Sequence, residues 1–240
     1  MCFDPCVSSG SDAAPAAAAA AETSTSPIGE PRWPPALVLL VFLGMNIAVR
    51  VWLPGGSPIR VPWLVPAVEA ALLVLLLTAD PGNIAKPQRF HRVAVGLVVV
   101  LVCSALWATV LLVRDLIDGT GVSDKATELL ASGGLVWLGN NLSFALLYWL
   151  IDGGGPLARW RHPEPIDFAF TQQMSPELAP PGWRPVFLDY LHLGFTNATA
   201  FSPTDVMPLT HRAKYVMLVQ STVALALFGL IVARAVNAFT

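Results

Sequence analysis

Apolar residues gather in long runs along this chain, and most polar ones fall in the gaps between them. Five runs approach the length a helix needs to cross a bilayer, about 20 residues for about 30 Å of hydrocarbon. They occupy positions 35–53, 61–79, 93–113, 133–151 and 213–237. The centre of the third, Leu97-Val98-Val99-Val100-Leu101-Val102, carries no polar side chain, a pattern that fits a helix surrounded by lipid. Pro54-Gly55-Gly56 cannot continue the first helix, so the first two runs form a tight antiparallel hairpin. A sixth segment, 185–205, is too short and too polar to span: it holds Asp189, His192 and Asn197 and ends in Ser202-Pro203-Thr204-Asp205. Backbone that enters a membrane and stops there must be buried by protein or open into a water-filled cavity. The pattern predicts an all-α, polytopic membrane helical bundle of five transmembrane helices plus a re-entrant, pore-type half-helix before the last.

The gaps set the domain organisation. Residues 1–34 are rich in Ala, Pro, Ser and Thr, with an alanine run over Ala16–Ala21, and lack the basic-then-apolar order of a signal peptide. They read as a disordered tail ahead of one membrane domain, 35–240. The stretch 152–184, with Pro156, Pro163, Pro165, Pro176, Pro180 and Pro181, reads as a surface loop. No internal repeat supports an inverted-repeat transporter.

Composition strengthens the membrane reading: 55% of residues are hydrophobic and 12% charged, far from soluble-domain averages. A net charge of -2 without a basic block excludes general nucleic-acid binding. Cys2, Cys6 and Cys103 form no disulfide or metal framework. His91, His162, His192 and His211 lack metal-ligand spacing, and neither a nucleophile elbow nor a phosphate loop is present. These features predict a protein that is not an enzyme and uses no cofactor or metal.

Candidate chemistry lies in the polar residues at membrane depth, because such residues are costly there and tend to mark function. Asp189, His192 and Thr196 are spaced three and four apart, on one helix face, as either an ion relay or an anchor to neighbouring helices. Glu69 lies inside the second run and needs a partner, for which Asn46, Arg50 and Arg114 are candidates. Asn140 and Asn141 could line a cavity or bond between helices; Gln220 and Ser221 pose the same choice. Gly229 suits close helix packing or a hinge.

The stretch Thr199-Ala200-Phe201-Ser202-Pro203-Thr204-Asp205-Val206-Met207-Pro208-Leu209-Thr210 resembles the filter-and-turret segment of tetrameric potassium channels, T-T-V-G-Y-G-D-x-x-P-x-T, and the run through Phe228-Gly229-Leu230 resembles their inner helix. Asp189-Tyr190-Leu191, Phe195-Thr196 and the later Asp205 are also similar to a bacterial membrane family of unknown function that carries a D-F-L-Y-F-S-F-T block followed by an Asp. The likeness covers about Val186–Phe239. It implies a pore-loop module in a homo-oligomer within the cell membrane, with monovalent ions as partners besides the lipid bilayer. Ser202 and Thr204 stand where filter glycines would, and Pro203 locks φ between them, which disfavours a potassium-type carbonyl ladder. Thr199, Ser202, Thr204 and Asp205 would then line any narrow part through their side chains and give weak selectivity. A non-conducting scaffold or accessory subunit of the same architecture is the alternative.

Orientation divides two arguments. The end that holds the sixth segment carries Arg32, Lys86, Arg89, Arg92, Arg159, Arg161, Arg184, Arg212 and Lys214, against Arg50, Arg60, Arg114, Lys125 and Arg234 at the other. The positive-inside rule puts the richer end in the cytoplasm, whereas the channel likeness puts it outside. The charge count does not depend on a degenerate motif and weighs slightly more.

Overall fold

Helix formation follows the apolar runs and extends beyond them wherever polar residues can reach water. The computed structural model describes residues 30–52, 63–78, 87–118, 126–161, 166–199 and 205–239. Helix α1 is Trp33–Trp52, and the prolines Pro34 and Pro35 in its first turn need no intrahelical donor there. It is followed by α2, Leu64–Thr78, α3, Pro87–Asp118, and α4, Ala126–Ile151. Helix α3 starts six residues before the apolar run expected over 93–113, because Pro87 presets the first turn and Gln88, Arg89 and Arg92 stay exposed. After α4 come a 3-10 turn over Asp152–Gly154, the short α5, Pro156–Arg161, strand β1, Phe168–Phe170, the one-turn α6, Thr171–Met174, and a second 3-10 turn, Pro176–Leu178. Helix α7, Phe187–Thr199, strand β2, Val206–Pro208, and helix α8, His211–Phe239, complete the chain.

Three helical stretches are long and apolar enough to cross a membrane: Gln88–Arg114, Leu130–Arg161 and His211–Ala233; Trp33–Ala48 and Leu64–Thr78 are shorter apolar helices. This mostly helical architecture is consistent with a multi-pass membrane protein. Helix α4 is the centre of the bundle and touches α1, α3, α7 and α8. Of its most apolar stretch 72% is buried, against 28% and 22% for the corresponding parts of α3 and α8. The outward faces of those two keep large aliphatic side chains exposed, among them Val99, Val110, Leu218 and Leu225. In water such faces would drive association; in a bilayer they meet solvent of their own kind.

The described part of 152–170 departs from the surface-loop expectation, whereas 171–184, with Pro176, Pro180 and Pro181, is mostly exposed as expected. Asp152, Arg159, Asp167, Phe168 and Phe170 are all buried, and β1 pairs antiparallel with β2 in the register Phe168↔Pro208, Ala169↔Met207, Phe170↔Val206. Proline and glycine density marked the absence of long helices there, but it does not report packing. Phe168 and Phe170 stack edge-on against Tyr148 and Tyr190 and so tie this stretch to α4 and α7. The result is a cap over one end of the bundle. Glu30 belongs to it as well: it falls inside the 1–34 segment expected to be a disordered tail, yet Trp149, on α4, donates to its carboxylate across 2.8 Å. The ordered chain therefore reaches back at least to Glu30, and residues 1–29 lie outside the described residues.

Candidate functional site

Three polar arrangements converge on the cap end, and α7 runs through all of them. The first is a clamp of charges, buried but for Arg212. Asp152, at the end of α4, accepts the backbone N–H groups of Asp167 (2.7 Å) and Phe168 (3.2 Å) on Oδ1 and the Tyr190 hydroxyl (2.5 Å) on Oδ2. Asp167, 1% exposed at the side chain, accepts from Gly153 N (3.1 Å), Thr210 Oγ1 (2.6 Å) and both Nε (2.6 Å) and Nη2 of Arg212. Burial alone would raise the Asp167 carboxyl, but the hydrogen bonds from Arg212, Thr210 and Gly153 outweigh it and hold the group below the usual carboxylate range. Arg159 donates Nη1 to the carbonyls of Trp149 (2.7 Å) and Asp152 (2.8 Å), lies 4.9 Å above the Tyr190 ring and approaches Glu30 at 3.9 Å. Burial pushes the Glu30 carboxyl upward, against the opposing pull of Trp149, the Phe187 N–H and Arg159. The glycines after Asp152 permit the sharp exit from α4: Gly155 has φ 95°, and a Cβ on it would sit 2.7 Å from His91 Nδ1.

Beneath the clamp lies an uncharged seam between α4, α7 and α8. Asn197 donates to Gln220 Oε1 (2.8 Å), the Met217 carbonyl (3.0 Å) and the Tyr148 hydroxyl (3.3 Å), and Tyr148 donates to the same Gln220 oxygen at 2.6 Å. Gln220 Nε2 in turn donates to the Gly194 carbonyl (2.9 Å) and Asn141 Oδ1 (3.3 Å). Gly194 lets α7 close on α4, since a Cβ there would lie 3.3 Å from the Asn141 carbonyl. Asn140 bonds across to Thr109 of α3 at 2.8 Å. Both adjacent asparagines and Gln220 thus join helices. Among the described residues Ser221 bonds only within its own helix, and a Cβ on Gly229 would meet nothing within 4 Å, so close packing does not explain that glycine there.

The third arrangement is the outward edge of α7. His192 Nε2 meets Asp205 Oδ2 at 3.0 Å, with the side chains 60% and 48% exposed. Thr196 and Thr199 follow along the helix and return their hydroxyls to the carbonyls of His192 (3.0 Å) and Phe195 (2.8 Å). Asp189 accepts the Val186 N–H at 2.7 Å and so caps its own helix, as an acidic residue in the first turn does. The spacing placed Asp189, His192 and Thr196 on one face, and among the described residues side-chain hydrogen bonds link only His192 of these to a distant residue, Asp205. Ser202 and Thr204 lie outside the described residues.

Away from the cap, Asn46 of α1 donates to Glu69 Oε1 of α2 at 2.5 Å. Glu69 is fully buried, and its Oε2 has no hydrogen-bond partner among the described residues.

Sequence reasoning missed the clamp, because Asp152, Asp167, Arg159 and Arg212 stand far apart in sequence without a motif. The available signal was local: an aspartate closing a long apolar helix directly before Gly153-Gly154-Gly155 marks a backbone that must turn tightly against neighbours. No metal-ligating group of three or more His, Cys, Asp or Glu side chains occurs among the described residues. No protein-family model, curated protein or solved structure matches the chain.

Proposed function

We propose that the protein is a multi-pass cell-membrane protein with five spans, in which α7 and the chain returning to β2 form a re-entrant loop lining a polar path between copies. The observation that carries this reading is the placement of α7. Its 13 residues rise about 20 Å, short of the about 30 Å needed to cross. Its first turn lies beside the cap, its far end reaches the level of Trp137 and Asn141, and by Val206 the chain is back in the cap. Such a helix presents His192, Thr196 and Thr199 outward from the bundle, and Asp205, just ahead of β2, meets His192 there, where lipid is a poor neighbour for an imidazole–carboxylate pair. Around an axis shared by several copies, these groups would meet water and ions instead. The seam that bonds Asn197, Gln220 and Tyr148 supplies the rigid mounting such a loop requires.

The function is then non-enzymatic: passage of small monovalent ions with weak selectivity, set by side-chain oxygens and the Asp205 carboxylate, not by a carbonyl ladder. Currents recorded from the purified protein in lipid bilayers test this reading. Wild type should conduct, and Asp205→Ala should lower the conductance or shift the cation preference. Silence of the wild type in sodium, potassium and chloride salts alike would refute it. A second reading, a non-conducting scaffold, draws support from the seam itself, whose amide and phenol groups are bonded to one another across α4, α7 and α8. Capture of a membrane partner by crosslinking together with absent flux would favour it.

A further inference from the structure

A cavity of about 460 Å³ opens at the cap end, between α1, α2, α3, α4 and α5. Its size falls within the range of small-molecule sites, and its two ends differ in chemistry. The deep part is hydrocarbon: Leu72 and Leu76 of α2, Val98 of α3 and Leu146 of α4 line it. The mouth is cationic: Arg32 ahead of α1, Arg92 of α3 and Arg161 of α5 line it. No carboxylate among the described residues pairs with any of the three. The acidic residue in the lining, Glu30, is bonded to Trp149 and Phe187 and lies beside Arg159, so it does not offset the charge of the mouth.

This is the polarity of an amphiphile, apolar below and anionic above. Guanidinium forks match phosphate oxygens in a way ammonium groups do not. A basic pocket among membrane helices, at the end richer in Lys and Arg, suits an anionic headgroup. We infer that the cavity binds an anionic glycerophospholipid, one acyl chain lying along Leu72, Leu76, Val98 and Leu146 and the phosphate held by Arg32, Arg92 and Arg161. The inference does not depend on ion conduction.

Native mass spectrometry of the full chain, released from detergent after incubation with phosphatidylglycerol, phosphatidylcholine, oleate or inorganic phosphate, tests it. Phosphatidylglycerol should be retained at one molecule per chain, at least about tenfold more tightly than phosphatidylcholine, which carries the same phosphate but adds a quaternary ammonium that the three guanidinium groups repel. Arg32→Ala, Arg92→Ala and Arg161→Ala combined should abolish that preference, whereas Arg89→Ala, exposed on α3 outside the lining, should leave it intact. Leu76→Trp and Ala94→Phe fill the hydrocarbon end by independent substitutions, and whichever folds with an unchanged melting temperature should lose phosphatidylglycerol. Equal retention of the two phospholipids, undiminished preference in the triple variant, or retention in a folded, cavity-filled variant overturns the inference. Oleate or phosphate binding in place of phosphatidylglycerol overturns it as well.

Discussion

Replacing Asp167 by Asn removes the charge that ties β1, the α4 exit and the start of α8 together. The carboxylate is nearly inaccessible and accepts four hydrogen bonds, two of them from Arg212. Bonds to a charged partner contribute about 1.5–3 kcal/mol each when buried. The Arg212 side chain is 58% exposed, so water recovers much of its share, which is discounted to about 1 kcal/mol. Asparagine also turns one acceptor into a donor that faces Arg212 together with either Thr210 or the Gly153 N–H, leaving about 2–3 kcal/mol of destabilisation at neutral pH. The pH dependence has a definite sign. Asp167 has its folded-state carboxyl lowered, so its stabilisation is fully present above the unfolded value near 4 and is lost as pH falls through the folded value. Unfolding in mixed micelles with increasing SDS fraction, at pH 7 and stepwise down to about pH 3, measures this for wild type and Asp167→Asn. The gap between the two should be widest at neutral pH and narrow below about pH 4. A gap under about 0.5 kcal/mol at pH 7, the size expected of an ordinary surface change, or one that stays constant down to pH 3, would refute the clamp as a charge-dependent device.

Two further substitutions probe the interior. Asn197→Ala leaves the Met217 carbonyl without that donor and weakens the Tyr148–Gln220 group; about 2 kcal/mol should be lost in the same unfolding assay, and loss of under about 0.5 kcal/mol would remove the seam as the anchor of α7. Asn46→Ala strips Glu69 of its donor and should cost about 1–2 kcal/mol. Because one oxygen of Glu69 is already unpartnered, a double-mutant cycle with Glu69→Leu should show coupling of about 0.6 kcal/mol or more, and additive single effects would show that the pair does not stabilise the α1–α2 hairpin.

Legibility in the sequence divided along the range of the forces involved. Apolar length is a local property, so the helices α3, α4 and α8 and the shorter apolar helices α1 and α2 could be read from runs of residues alone, whereas the turn expected at Pro54-Gly55-Gly56 lies outside the described residues. The short helix α7 was legible for the same reason, through its length and its interrupting Asp189, His192 and Asn197. The Glu69–Asn46 pair was within reach because a buried carboxylate requires a partner and few were near. Pairing over long separations was not legible. Arg212 bonds to Asp167 from 45 positions away and Tyr148 to Gln220 from 72, and no periodicity encodes either distance.

The sequence by itself determined which long segments are helical and apolar, because an unbroken hydrocarbon run has one stable solution in lipid. It also marked the segment of α7 as short and interrupted by the polar residues Asp189, His192 and Asn197. Only the tertiary structure decided that Asp152, Arg159, Asp167, Phe168 and Phe170 after α4 pack into a cap, that α4 is the buried axis of the bundle, and that His192 meets Asp205. Those outcomes depend on which surfaces close against one another, and a buried charge takes its partner from whatever the fold brings within about 3 Å, however far away along the chain.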